Sequence, residues 1–408
     1  MENKNKKQWL CLRNCVYASI LSDTAILYNT LNGQFIITTN INNINLINRL
    51  HERKNLGVIL IDDGDLQNSD LHYFIEDAVQ KEIFSLIDYY ENQIKPIQLM
   101  PILNIQRDIE KLKKETDRSL GEEIIFYLTE LNLFVNNQCG LQCNFCDKTF
   151  RQFNCCTSKN EKTQLKISDI KSIANQIKIL SALRININGG NIFQYADLKQ
   201  INDIFSDKEI HFWFHYSNFQ PDIIDLDDNF EVLINFPFKK EALSVCINIL
   251  PKEKTTFHFI VSAVEDIKTA QNIISEFPIV KYEFHPFYNG MNKSFFEENV
   301  FLNLDDITSE TISQRKIFCN QALNSNFFGK LNIFPNGDVF ANINTEKLGN
   351  IHNHSLLQLI YRELDINSIW RKTRTEKPCS ECLYQYLCPP PSNYEIVIGK
   401  PNLCHVKP

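Results

Sequence analysis

The sequence predicts an α/β protein built around an open, partial (β/α)6 barrel, with a small α+β module before it and a cysteine-rich extension after it. Three observations carry this reading. From Thr129 onward strand-like and helix-like stretches alternate, and before residue 95 short strands come first and amphipathic helices second. The cysteines gather in two places, at 139–146 and in the last ninety residues. At 408 residues, 43% hydrophobic and 22% charged, the chain is long enough for two or three domains with ordinary cores.

Residues 1–95 read as a module of their own. Val16 to Leu21, Ala25 to Asn29 and Gln34 to Thr39 are strand candidates, turned at Ser22–Asp23 and at the hairpin signal Asn32–Gly33. Helical periodicity follows around Asn45–Leu50 and Ser69–Leu86. Residues 96–127 form a linker whose polar part, Asp108 to Glu122, predicts an exposed helix. Residues 128–310 carry six β/α units. The strand candidates are Glu130–Asn136, Arg184–Asn188, Ile210–Tyr216, Glu231–Phe236, Thr256–Val261 and Lys281–His285, and helical patterns at Ser168–Leu180, Asp197–Phe205, Lys239–Leu250 and Asp266–Phe277 lie between them. That rhythm argues for a parallel sheet, and six units are too few to close an eight-stranded TIM-type barrel. Residues 311–408 contain GKLNIFPNGDVFAN, a hairpin turned at Pro335–Asp338, and five cysteines.

Composition excludes several classes. A formal net charge of −7 leaves no basic footprint for nucleic acid. No apolar run approaches a membrane span, and the basic start MENKNKKQWLCL lacks the apolar core and cleavage site of a secretory signal. Thirteen cysteines at CxxxCxxC and CxxC spacings read as metal ligation in a reducing cytoplasm rather than as disulfides.

Cys139, Cys143 and Cys146, in CGLQCNFC, close the first barrel strand, where a parallel α/β barrel places its functional residues. Three thiolates at this spacing suit a [4Fe–4S] cube with one iron left without a protein ligand; a zinc knuckle is the alternative for the same residues. The motif, with Phe145 before its third cysteine, resembles that of the radical SAM superfamily. The resemblance implies that S-adenosylmethionine (SAM) occupies the open iron and is cleaved reductively to a 5′-deoxyadenosyl radical. It also implies that Gly189 and Gly190, ending the second strand, approach the SAM amino group through their backbone. Asn191 stands where the family commonly has Glu, and Ser217–Asn218 match its polar dipeptide near the SAM carboxylate or ribose. A strand-ending turn explains the dipeptide equally well, and no adenine-binding motif is recognisable. His211, His215, His258 and His285 lie on strands and can face the barrel interior or simply pack; Cys155–Cys156 read as packing, or as a redox pair or substrate contact.

The C-terminal region resembles the SPASM extension of radical SAM peptide maturases. Cys379, Cys382, Cys388 and Cys404 match the four ligands of its outer auxiliary [4Fe–4S] cluster, a saturated site; four-cysteine zinc is the alternative. Cys319 matches one ligand of the inner cluster, but Asn342 and Ser392 replace two others, so one auxiliary cluster is expected. Residues 1–95 resemble a winged-helix leader-recognition module, which binds an extended peptide at a sheet edge; a simple cap is the alternative. The resemblance implies a cytoplasmic enzyme that modifies a ribosomally made precursor peptide by C–H abstraction (crosslink, thioether or epimerisation), served by an external flavodoxin- or ferredoxin-type electron donor. Two other readings stay open: a catalytically reduced partner that binds the peptide for another maturase, and a zinc-stabilised scaffold.

Overall fold

The barrel strands follow from a two-residue alternation of apolar and polar side chains, broken by apolar runs toward the C-terminal ends of several of them. In the computed structural model, which describes residues 7–67, 69–99, 114, 123–141, 143–155, 163–223, 225 and 227–406, fifteen strands are present among the described residues. The first six are β1 (Lys7–Leu12), β2 (Val16–Ile20), β3 (Ala25–Asn29), β4 (Phe35–Thr38), β5 (Val58–Asp62) and β6 (Phe84–Asp88), with helices α1 (Ile41–His51) and α2 (Ser69–Gln80) among them. Strands β2–β3–β4 form one antiparallel sheet and β5–β1–β6 another. The second helical stretch is shorter than expected: Glu82 turns left-handed (φ 55°), Ile83 N–H closes onto Ala78 O at 2.8 Å, and Phe84–Asp88 pairs with β1. The expected linker helix, Asp108 to Glu122, lies outside the described residues apart from Lys114.

The six parallel strands are β7 (Glu130–Asn136), β8 (Arg184–Gly189), β9 (Glu209–His215), β10 (Asn229–Asn235), β11 (Thr255–Val261) and β12 (Lys281–Pro286). They pair in sequence order, β7 to β12, as an open barrel fragment requires. Between them run α3 (Cys146–Thr149), α4 (Ile167–Gln176), α5 (Leu198–Ile204), α6 (Lys240–Ile249) and α7 (Val264–Glu276). One face of the strands, with Leu131, Leu133, Ile185, Ile187, Val232 and Phe259, is buried in a single apolar cluster with Ile173, Ile201, Leu243 and Ile273 of the helices. The opposite face carries Asn132, Asn186, His211, Glu231 and His258. The barrel interior is therefore polar rather than a second packed core.

The rest of the chain is wound onto this sheet. Helices α8 (Lys293–Asn299), α9 (Leu304–Thr308) and α10 (Gln314–Ala322) lead to β13 (Lys330–Ile333), β14 (Asp338–Phe340) and β15 (Gly349–Asn350). The expected hairpin forms, and β13 also pairs in parallel with β7, so the C-terminal region extends the barrel sheet to nine strands. Helices α11 (Leu356–Ile366) and α12 (Asn393–Ile398) complete the chain.

Strand β3 is buried on both faces. Ala25 and Leu27 enter the N-terminal core, while Ile26 and Tyr28 pack with Ile317, Leu383, Leu387 and Cys388 of the C-terminal region. Ile312 N–H donates to Tyr28 Oη at 2.8 Å. Removing a buried aromatic ring costs roughly 3–5 kcal/mol. Tyr28→Ala is expected to lower urea-unfolding stability by about that much and to loosen the C-terminal region in hydrogen exchange, whereas Tyr28→Phe keeps both within about 1 kcal/mol.

Candidate active site

The cysteine loop leaves the C-terminal end of β7 and its entry is fixed by a backbone contact. A Cβ on Gly190 would lie 2.3 Å from Gln138 O and 2.4 Å from Gln138 C, so only glycine lets the loop pass over the end of β8. Gly190 N–H donates to Asn136 O at 3.0 Å, and Gly190 O accepts from Asn218 Nδ2 at 3.3 Å. Gly190 and Asn218 therefore meet at the start of the loop. The carboxamide of Asn191 is engaged locally: its Oδ1 accepts from Phe193 N–H at 3.1 Å, capping a turn. Ser217 N–H donates to His215 Nδ1 at 3.2 Å.

Past Cys139 and Cys143 the loop is clamped to the residues after β12. Phe145 adopts a left-handed conformation (φ 56°), uncommon for a bulky residue, immediately before Cys146 opens α3. Lys148 Nζ donates to Asn289 O at 2.7 Å, and the Gln152 carboxamide bonds both Tyr288 N–H (2.9 Å) and Tyr288 O (3.0 Å). Cys143, Phe145 and Cys155 then face a cavity of about 410 Å³ closed on the other side by His215, Asn235, Phe236, Ile260 and Phe287, at the ends of β9 to β12. That volume is in the range of small-molecule sites. None of Gly189, Gly190, Asn191, Ser217 and Asn218 is in its wall. His215 donates through Nε2 to Asn235 Oδ1 at 2.6 Å while Nδ1 accepts from Ser217, which fixes one neutral tautomer. Burial holds its pKa below the usual imidazole value, against the Asn235 bond, which raises it. Cys156 lies outside the described residues.

Beneath this cavity, and separated from it by Leu233, which lines both, is a polar chamber of about 650 Å³. Its floor is organised by the buried Glu231 carboxylate, which receives Arg184 at 2.6 Å, His211 Nδ1 at 2.7 Å and His258 Nε2 at 2.7 Å. Burial raises the Glu231 pKa, but the hydrogen bonds and positive charge of His211 and His258 override it and hold it down at about 2. His258 Nδ1 lies 2.8 Å from His285 Nε2, and Trp213 stacks on the His258 ring at 4.6 Å. Burial first, then the neighbouring His258, push the His285 pKa down to about 4. All four histidines thus line a cavity, and the sequence held their alternation but not their partners.

The four C-terminal cysteines Cys379, Cys382, Cys388 and Cys404 line one small cavity with Leu302, Ile307 and Arg374. Leu302 N–H bonds Leu403 O and His405 N–H returns to Leu302 O, which clips Cys404 against the other three. Arg374, paired with Glu395 at 2.8 Å, reaches Cys379 Sγ at 3.7 Å. Burial pushes Cys388 up to about 12 although Arg374 lowers it, so ligation must release its proton. Among the described residues, the group of three or more His, Cys, Asp or Glu ligand atoms lying within 4.8 Å of one another is His258, Glu283 and His285. No three of these cysteines are gathered that tightly, whereas a single tetrahedral zinc draws its sulfurs to about 3.8 Å apart. Four thiols around one cavity are a donor set that either a four-iron cube or a zinc ion accepts. The positions expected to have lost inner-cluster ligands are occupied by amide contacts: Asn342 Nδ2 donates to Asn393 Oδ1 at 3.0 Å, and Asn344 and Asn393 both donate to Arg151 O, at 2.8 and 2.9 Å. Asn342 and Ser392 line the polar chamber, and Cys319 lies on α10, outside both its wall and that of the four-cysteine cavity.

No family model matches the chain, and no curated protein matches it. Among solved structures the chain is similar to SuiB of Streptococcus suis, with 14% identity and a TM-score of 0.48 over 97% of this chain and 100% of that one. It is similar to SuiB bound to the precursor peptide SuiA, with 14% identity and a TM-score of 0.47 over 97% and 99%. Native anSMEcpe with bound AdoMet matches with 12% identity and a TM-score of 0.43, over 64% of this chain and 87% of that one. No helix among the described residues is long and apolar enough to cross a membrane.

Gly190→Ala is expected to displace the loop and lose the iron that Cys139, Cys143 and Cys146 would hold, while the four-cysteine site keeps its own; iron per chain and Mössbauer spectra after reconstitution read this. Because the His285 pKa is depressed, the unfolded chain takes up the proton first, so stability is fully present above about pH 6.5 and falls as pH drops toward about 4. Between pH 7.5 and 5 the loss from this group is roughly 1–2 kcal/mol. Urea unfolding of His285→Gln is expected to show a correspondingly flatter pH dependence.

Proposed function

We propose that this protein is a radical SAM enzyme of the SPASM peptide-maturase type, and that it modifies a ribosomally made peptide. The observation that carries the reading is the cavity beneath the cysteine loop, where Cys143 and Phe145 oppose the C-terminal ends of four parallel strands. Cys139, Cys143 and Cys146 would hold the SAM-binding [4Fe–4S] cluster, and Cys379, Cys382, Cys388 and Cys404 the single auxiliary one. When bound, cluster and SAM supply a strong one-electron reductant and a 5′-deoxyadenosyl radical.

The chain's own residues do the positioning. Gly190 and Asn218 fix the backbone where the loop starts, Asn191 and Ser217 support the adjoining turns, and the backbone of Gly189 and Gly190 would meet SAM only from behind the cavity wall. His215, locked as a neutral donor to Asn235, offers a fixed polar edge beside the apolar patch of Phe145, Phe236, Ile260 and Phe287. The polar chamber is the place for a peptide side chain, whose tip would reach the reacting centre past Leu233. Residues 1–95 would bind the leader as a winged-helix-like module, and an external flavodoxin- or ferredoxin-type protein would supply electrons.

One observation favours the second reading, a partner that binds peptide without turnover: the Asn191 carboxamide is spent on its own turn, so the acidic contact of the family has no replacement there. Turnover decides between them. Reconstituted protein given dithionite and SAM is expected to release 5′-deoxyadenosine, Cys143→Ser to abolish that release, and Cys382→Ser to spare it while depressing peptide product. Absence of 5′-deoxyadenosine from protein carrying its full iron would overturn the enzyme reading.

A further inference from the structure

The polar chamber contains a donor set that SAM chemistry does not use. Glu283 and His285 are two apart on β12 and so share one face, and Glu283 is in register with His258 on β11. His258 Nδ1, His285 Nε2 and Glu283 Oε2 converge, with separations of 2.8, 3.3 and 3.7 Å. Each ring is oriented from behind. His258 is 3% exposed and is stacked by Trp213, and Phe153 meets His285 edge-on at 5.8 Å.

Proton bookkeeping sharpens the point. Glu231 is a carboxylate and can only accept, so His258 presents Nε2–H to it at 2.7 Å. Nδ1 of His258 is left facing His285 Nε2 and Glu283 Oε2, and it offers its lone pair to a cation once His258 gives up the positive charge it otherwise lends Glu231. A lone N–H on His285 would have to serve both the Nδ1 acceptor and the Glu283 oxygen. A cation at the same point satisfies all three donors at once, and Glu231 behind His258 supplies the carboxylate–histidine support that metal-binding imidazoles regularly have.

We propose that His258, Glu283 and His285 bind a divalent transition-metal ion, Zn²⁺ or Fe²⁺, on the wall of the polar chamber. Two imidazoles and one carboxylate on adjacent strands are the three-ligand set that leaves coordination positions open. Those positions face the 650 Å³ chamber, so an oxygen of a bound peptide, a carboxylate or backbone carbonyl, or water completes the shell. The site is distinct from both cysteine sets and independent of SAM cleavage: zinc without 5′-deoxyadenosine, or the reverse, separates the two proposals.

The test uses full-length protein with its iron reconstituted, equilibrated anaerobically with micromolar Zn²⁺, counting zinc and iron per chain and recording zinc-edge X-ray absorption. One zinc per chain beyond the iron, surrounded by nitrogen and oxygen only, is expected. Glu283→Gln and His285→Gln should each weaken zinc binding by about tenfold or more, and Glu231→Gln by about tenfold, with iron unchanged. Glu283 has a 59% exposed side chain, so its variant is the one expected to fold without disturbance. No zinc beyond the cysteine sites, sulfur around the zinc, or zinc held by Glu283→Gln as tightly as by the native chain would overturn the proposal.

Discussion

The upper end of the barrel depends on how closely two backbones pass. Gly190 lies under Gln138 with no space for a single carbon, and that contact sets the height at which the cysteine loop leaves β7. Lys148 and Gln152 then pin the far end of the loop to the residues after β12. Held at both ends, the loop spans the mouth of the sheet, and the position of Cys143 over His215 and Asn235 follows from the span.

Below the loop the barrel departs from the packed interior of a closed barrel. Charged and amide side chains replace aliphatic ones on the inner face of every strand, which is costly unless each is paired. Glu231 makes this workable by accepting from Arg184 and two histidines, and Asn186 links Asn132 and Trp213 in the same layer. Leu233, Ile260 and Phe287 form the apolar band between the two cavities. The interior is thus zoned along its axis into a polar floor, an apolar waist and a mouth crossed by cysteines.

Much of this was legible beforehand. The six barrel strands fall within a residue or two of their expected bounds, because parallel strands with one apolar face leave an unmistakable alternation and β/α loops punctuate it. Strands β1, β5 and β6 escaped notice. The apolar residues of β6 follow α2 almost without a break, and a left-handed Glu82 has no signature in sequence. That Cys379, Cys382 and Cys388 line one cavity could be read from their spacing, since short loops bring near neighbours together. The Glu231 cluster could not: its members come from four strands between Arg184 and His258, and only the register of β8 to β11 makes them neighbours. The cavity wall at His215 and Asn235 was missed for the same reason.

Strand β3 has a consequence for how the molecule is made. Its Ile26–Tyr28 face is covered by residues that leave the ribosome long after it, among them Leu383, Leu387 and Cys388. N-terminal units fold first during synthesis, so until residues 383–388 emerge this module has half of its central strand wet and able to associate wrongly. Docking of the tail closes that face and seals one side of the four-cysteine cavity in the same event. A nascent chain stalled short of Cys388 would therefore present a sticky strand to chaperones rather than a finished domain.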